Sequence, residues 1–152
     1  MIVGVISDTH GLLRPQALAA LEGSDVIIHA GDIGPPEILA RLRMIAPTFA
    51  VRGNVDTSPW ARTLPEVEVF DAHGQSFYVL HDLGRLDLDP KAAGFAAVIY
   101  GHSHKPDAQV RDGVLYLNPG SAGPRRFSLP VSVARLTVAE RWLTHELVPL
   151  DV

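Results

Sequence analysis

The stretch Ile2-Val3-Gly4-Val5-Ile6-Ser7-Asp8-Thr9-His10-Gly11 decides the fold. Its first six residues are apolar or small and rich in β-branched side chains, which suits a strand buried on both faces, and the run passes directly into a polar turn at Asp8. The pattern returns twice: residues 25–30 (DVIIHA) stop at Gly31-Asp32, and residues 48–52 (TFAVR) stop at Gly53-Asn54. Between these strands, Pro15 and Gly23 bracket a helix over 15–21, and Pro35-Pro36 opens a second helix that runs to Met44. Strand and helix alternating in this way build parallel βαβ units.

Beyond residue 60 the reading changes. Residues 67–72 and 75–81 read as hairpin arms about His73-Gly74, with His81 closing the second arm. A strand over 96–100 ends on Gly101-His102-Ser103-His104. Residues 109–111 and 114–117 flank the turn Asp112-Gly113, and 131–138 pairs with 141–148. Parallel units followed by antiparallel strands predict an α/β architecture of two mixed sheets packed face to face, with helices outside.

The chain has 152 residues, of which 47% are hydrophobic, enough for the core of one domain spanning 1–152. Its 17 acidic and 13 basic residues leave a net charge of -4, and no run of Lys or Arg tracks a phosphate backbone, which argues against duplex nucleic acid as a partner. With no cysteine, disulfides, thiolate ligands and cysteine nucleophiles are excluded, so a metal site must use imidazole, carboxylate and amide. The N-terminus has no basic leader region and reaches Asp8 too early for a signal peptide or membrane span, so a cytoplasmic, membrane-free protein is expected.

Five segments close predicted strands: Asp8-x-His10, Gly31-Asp32, Gly53-Asn54, His81 and Gly101-His102-x-His104. The last is the most specific, because 13 Gly and 7 His in 152 residues give roughly 0.03 chance occurrences of Gly-His-x-His. Ligands of open α/β sheets bind beyond the carboxyl ends of the strands, so the five segments can converge there. Seven N and O ligands are too many for one ion, but two ions sharing one carboxylate use them with positions to spare, and Asp32 is the natural bridge. Two cations about 3.5 to 4 Å apart can activate a shared water as hydroxide and neutralise charge on a phosphoryl oxygen. Glycine before three of the segments is expected to let the backbone turn sharply there.

These segments resemble the signature of the calcineurin-like metallophosphoesterases, in particular the small YfcE-like branch, and the likeness extends from Asp8 to Asn118-Pro119-Gly120-Ser121. The resemblance implies an αββα sandwich in which Asp8, His10, Asp32 and His104 hold one divalent ion while Asp32, Asn54, His81 and His102 hold the other. It implies a phosphodiesterase acting on a small-molecule phosphate ester by in-line attack of a metal-bridging hydroxide, with Asp8, His10, Asp32, Asn54 and His102 in catalysis. Mn²⁺ is the first expectation for the metal, ahead of Fe, Zn²⁺, Ni²⁺ and Mg²⁺. A phosphomonoesterase such as a nucleotidase, and a protein-binding scaffold like the retromer subunit of this fold, are the alternatives.

Two positions depart from the pattern. Val55 stands where many relatives carry a histidine or cysteine after Gly-Asn, and His81-Asp82-Leu83 replaces a common His-Gly-His. Arg125 and Arg126 read equally as a phosphate clamp beside Asn54 or as solvated surface charges. His29, two residues before Gly31, reads as a support for the site or as an ordinary core histidine, whereas His73 and His145 fall outside it.

Overall fold

The computed structural model describes Met1–Val152. The first half alternates as expected: β1 (Ile2–Ile6), α1 (Pro15–Leu21), β2 (Val26–His29), α2 (Glu37–Arg43) and β3 (Thr48–Ala50). Then come β4 (Val67–Ala72), β5 (Gln75–Leu80), β6 (Ala97–Ile99), β7 (Asp107–Arg111), β8 (Val114–Asn118), β9 (Ser132–Val138) and β10 (Leu143–Pro149). They form two five-stranded sheets, ordered β10-β9-β1-β2-β3 and β4-β5-β6-β8-β7. In the first, β1, β2 and β3 are parallel, with Gly4 opposite Ile27 and Ile28 opposite Phe49. In the second, β5, β6 and β8 are parallel, with antiparallel β4 and β7 at the edges.

Side-chain alternation sorts the apolar residues into layers. Val3, Val5 and Ile28 point inward to meet Phe77, Ile99 and Leu117 in the space between the sheets, where all are essentially inaccessible. Ile6 and Ile27 point outward beneath Leu21, Leu39 and Leu42 of the two helices. Gly4 occurs where α1 descends onto β1, because a Cβ there would lie 2.7 Å from Leu21 Cδ2.

The outer face of the second sheet has a different cover. No α-helix lies there. A 3₁₀ turn (Leu83–Arg85) and the loop after it place Leu83, Leu86, Leu88 and Phe95 over Tyr78, Leu80, Val98 and Tyr100. No helix of the chain is long and apolar enough to cross a membrane.

The parallel strands of both sheets end at the same edge of the sandwich. There the backbone continues to pair beyond the strands, with the Asp8 N–H on the Gly31 carbonyl, His10 N–H on Asp32 and Gly101 N–H on His81, each at 2.9 to 3.0 Å. These bonds lock the loops carrying the predicted ligands to one another.

Candidate metal centre

All seven predicted ligands gather at that edge. Asp8, His10 and His104 present ligand atoms within 4.8 Å of one another, and Asp32, His81 and His102 do the same. Asn54 joins the second group through Oδ1, 3.2 Å from His102 Nδ1. Asp32 Oδ2 lies 3.1 Å from His81 Nε2 and 3.6 Å from His10 Nε2, so one oxygen faces both groups.

Each carboxylate is held by one oxygen and leaves the other aimed inward. Asp8 Oδ2 accepts from the Ser7 hydroxyl at 2.7 Å and the His102 N–H at 3.1 Å, while the buried Oδ1 has no hydrogen-bond donor and faces His104 and His10 at 3.3 and 3.5 Å. Asp32 Oδ1 accepts from the Val55 N–H at 3.1 Å. The ring of His81 is oriented in the same manner, since Nδ1–H donates to the Ala30 carbonyl at 2.7 Å and leaves the buried Nε2 unpartnered. Unpaired acceptors converging in a buried space are costly unless a cation lies among them, so the donor set fits divalent metal ions. The carboxylates and two of the imidazoles shift each other's protonation. Burial pushes the Asp8 and Asp32 carboxyls up, but the neighbouring His10 and His81 outweigh it and hold both below the usual carboxylate range. The bond with Asp8 raises His10 despite burial, and at His81 the Asp32 and Asp8 charges overcome burial to raise the imidazole.

The backbone at this edge is unusual. Asp8, His10, Asp32, His102 and His104 have φ of 57°, 46°, 56°, 73° and 64°, five of the eight non-glycine residues in the left-handed region. Such a conformation costs roughly 1 kcal/mol or more per residue outside glycine, and its clustering here marks the site independently of residue chemistry. At two of the preceding glycines the reason is space rather than turning. A Cβ on Gly53 would stand 2.1 Å from Asp32 Oδ1, and one on Gly101 would stand 2.1 Å from Ser7 Oγ and 2.7 Å from Asp8 Oδ2. Of the three, only Gly31 has a positive φ, 102°.

Several supporting residues are not evident in the sequence. Buried Asp56 accepts from the N–H groups of Ile33 and Gly53 at 3.0 and 2.8 Å, tying the Asp32 loop to the Asn54 loop. Asn118 donates to the Gly101 carbonyl and the Ser103 hydroxyl, and Ser121 Oγ lies 3.1 Å from the Asp8 carbonyl, which gives the Asn-Pro-Gly-Ser segment a structural task. His29 supports the site from the core. Its Nδ1 accepts the Gly31 N–H at 3.1 Å, which leaves Nε2–H to donate to Thr9 Oγ1 at 3.0 Å, and the Thr9 hydroxyl in turn donates to Ile33 at 2.7 Å. Complete burial holds its imidazole neutral, with a pKa lowered to about 3.

His73 and His145 are exposed, and neither belongs to the two groups. The two arginines diverge. Arg125 reaches the Val152 carbonyl at 3.4 Å, whereas the charge of exposed Arg126 opposes protonation of His10 and His104.

A family model described as the calcineurin-like phosphoesterase superfamily domain matches residues 1–141. A probable metallophosphoesterase of Methanocaldococcus jannaschii is 34% identical over 160 residues, covering 99% of this chain and 82% of the relative. Phosphodiesterase YfcE of Escherichia coli is 29% identical over 161 residues, covering 86% and 84%. The structure of Vacuolar Protein Sorting 29 from Cryptosporidium parvum superposes with a TM-score of 0.84 at 19% identity over 99% of this chain and 91% of that one, which speaks to the fold alone. With the family matched across nearly its whole length and the ligand-bearing strand ends drawn to one edge, this chain belongs to the calcineurin-like phosphoesterase superfamily.

Proposed function

We propose that the chain is a dinuclear metal-dependent phosphodiesterase acting on a small-molecule phosphate ester, with Mn²⁺ as its first metal. The observation that carries this reading is the pair of ligand groups that meet at Asp32 Oδ2. Asp8, His10, Asp32 and His104 would hold one ion, and Asp32, Asn54, His81 and His102 the other. When bound, the pair supplies an activated water and neutralises charge on the phosphoryl group.

The chain's own residues set the geometry around that chemistry. Ser7 and the His102 N–H fix one oxygen of Asp8, the Val55 N–H fixes one of Asp32, and Ala30 fixes the tautomer of His81, so the inward atoms are presented in one arrangement. Exposed Asn54 and His102 border the solvent-facing side, where the phosphoryl oxygens would lie. Arg126 sets a positive charge near His10 and His104 and suits the same anion, while Arg125 has the weaker case for such contact.

The decisive measurement is a screen of purified metal-free protein against diesters and monoesters with each divalent metal restored singly. Aryl diesters should be preferred, with Mn²⁺ restoring the most activity. Single turnover in ¹⁸O-water should place the label only in the phosphate product, since direct attack by water leaves no phosphoenzyme. A phosphate trapped on Asp8 would overturn the mechanism, and a stronger monoesterase activity would replace the diester assignment. A purely docking role for this fold leaves the unpaired buried acceptors without a task.

A further inference from the structure

A cavity of about 920 Å³ is lined by Asn54 and His81 of the metal centre and also by Arg62 and Arg85. Ligand pockets span about 300 to 1,000 Å³, so it has room for a group well beyond a phosphate. Only three of the fourteen residues lining it are hydrophobic, which disfavours a lipid-like or plain aromatic occupant.

Its charges divide into engaged and free. Arg52 is engaged, donating through Nη1 to the Arg62 and Leu64 carbonyls and through Nη2 to Glu66 at 3.1 Å. Asp56 is consumed by backbone N–H groups, and Asp82 Oδ1 accepts from Gly84 N–H to cap the 3₁₀ turn. The guanidinium groups of Arg62 and Arg85 make no hydrogen bond or ion pair, and Asp87 is the lining carboxylate equally without one. Two free planar cations and one free anion, all exposed, therefore line a cavity that Asn54 and His81 of the metal centre also line. Guanidinium forks pair bidentately with carboxylate and phosphate.

We infer that this cavity is a specificity pocket in which Arg62 and Arg85 bind a second anionic group, carboxylate or phosphate, on the ester arm of the substrate. The inference rests on the phosphodiesterase reading and narrows it to a substrate class: esters with a second negative charge some distance from the scissile phosphorus.

The test compares p-nitrophenyl butyl phosphate with p-nitrophenyl 4-carboxybutyl phosphate, which share a leaving group and differ in the distal charge. The Mn²⁺-loaded parent should favour the carboxylate by at least about tenfold in kcat/KM, and R62A and R85A should each erase most of that ratio. Arg43→Ala, an exposed change on α2, should keep the parent ratio. Calorimetric titration with propylphosphonate and 3-phosphonopropionate gives the same comparison without turnover and separates a carboxylate from a simple phosphonate contact. A ratio near one in the parent, or one that R62A and R85A leave intact, overturns the inference while phosphodiester hydrolysis stands. Hydrolysis of neither ester, with the binding preference present and lost in both variants, sinks the phosphodiesterase reading and keeps the pocket.

Discussion

Asp32 and His81 meet as two acceptors, with Oδ2 3.1 Å from Nε2 in a ring whose neutral-state proton is already given to Ala30. A cation between them removes the conflict, so metal binding should stabilise the fold as well as enable reaction. At Mn²⁺ one hundred times its dissociation constant, linkage gives about 2.7 kcal/mol, or a rise of about 5 to 10 °C in Tm for a chain of this size. Chelation should reverse it. Asp32→Asn should reduce the shift more than any other ligand change, and His73→Ala and His145→Ala should leave it in place. Equal losses in those two variants, read by thermal melts with and without metal, would put the centre elsewhere.

Val55 gives its N–H to Asp32 and leaves a half-exposed hydrocarbon side chain where the resemblance implies a histidine or cysteine in many family members. General acid help is typically worth about 10² to 10⁴ in rate, most for poor leaving groups. The chain should hydrolyse aryl diesters far better than alkyl diesters, with a steep dependence of log rate on leaving-group pKa. Val55→His should improve the alkyl substrates selectively. A flat dependence across a graded series would mean that another group supplies the proton.

Gly101→Ala should loosen the metal centre, because the new Cβ would crowd Ser7 Oγ and Asp8 Oδ2. Overpacking of this kind costs about 1 to 3 kcal/mol and should be accompanied by a loss of at least about tenfold in metal affinity, as Asp8 moves. Gly94→Ala is the comparison, with φ at 83° and open space around it. It should cost about 1 kcal/mol in stability and leave metal affinity unchanged. Denaturant melts combined with metal titration distinguish the two effects.

His29 is neutral in the fold with a pKa near 3, and an unfolded imidazole titrates near 6.5. The unfolded chain therefore gains a proton first as pH falls, so this contribution is complete above 6.5 and declines between 6.5 and about 3, by up to about 1.4 kcal/mol per unit. His29→Gln should be less stable at pH 7.5, and the gap to the parent should narrow toward pH 4.5. A gap independent of pH, measured by denaturant melts across that range, would remove His29 as the source.

The strands that end on Asp8, Asp32 and Asn54 were legible because each is a short apolar run cut by a polar residue, and α1 because Pro15 and Gly23 mark its ends. The hairpin about His73-Gly74 forms with Ala72 opposite Gln75, as its turn dipeptide indicates. The cover of the second sheet was not legible. Leu83, Leu86, Leu88 and Phe95 follow neither a helical nor a strand period, since a loop can pack apolar residues at any spacing. Asp56 reaches the Ile33 N–H and Ser121 the Asp8 carbonyl, both far along the chain, and local sequence contains no trace of such bonds. The link between Arg62 and Arg85 likewise arises only when β4 and β5 bring their flanking turns to one cavity.

Five residues in left-handed backbone conformations restrict how this site can change over generations. At positions 8, 10, 32, 102 and 104 a substitution to glycine relieves strain, so the change that surrenders a candidate ligand also returns part of its cost in folding. A lineage released from the need for hydrolysis recovers part of that strain when it sheds such a side chain, and sets it against the stability that bound metal would have given. In this chain all five positions carry chemistry-bearing side chains on a backbone conformation that glycine would occupy at lower cost.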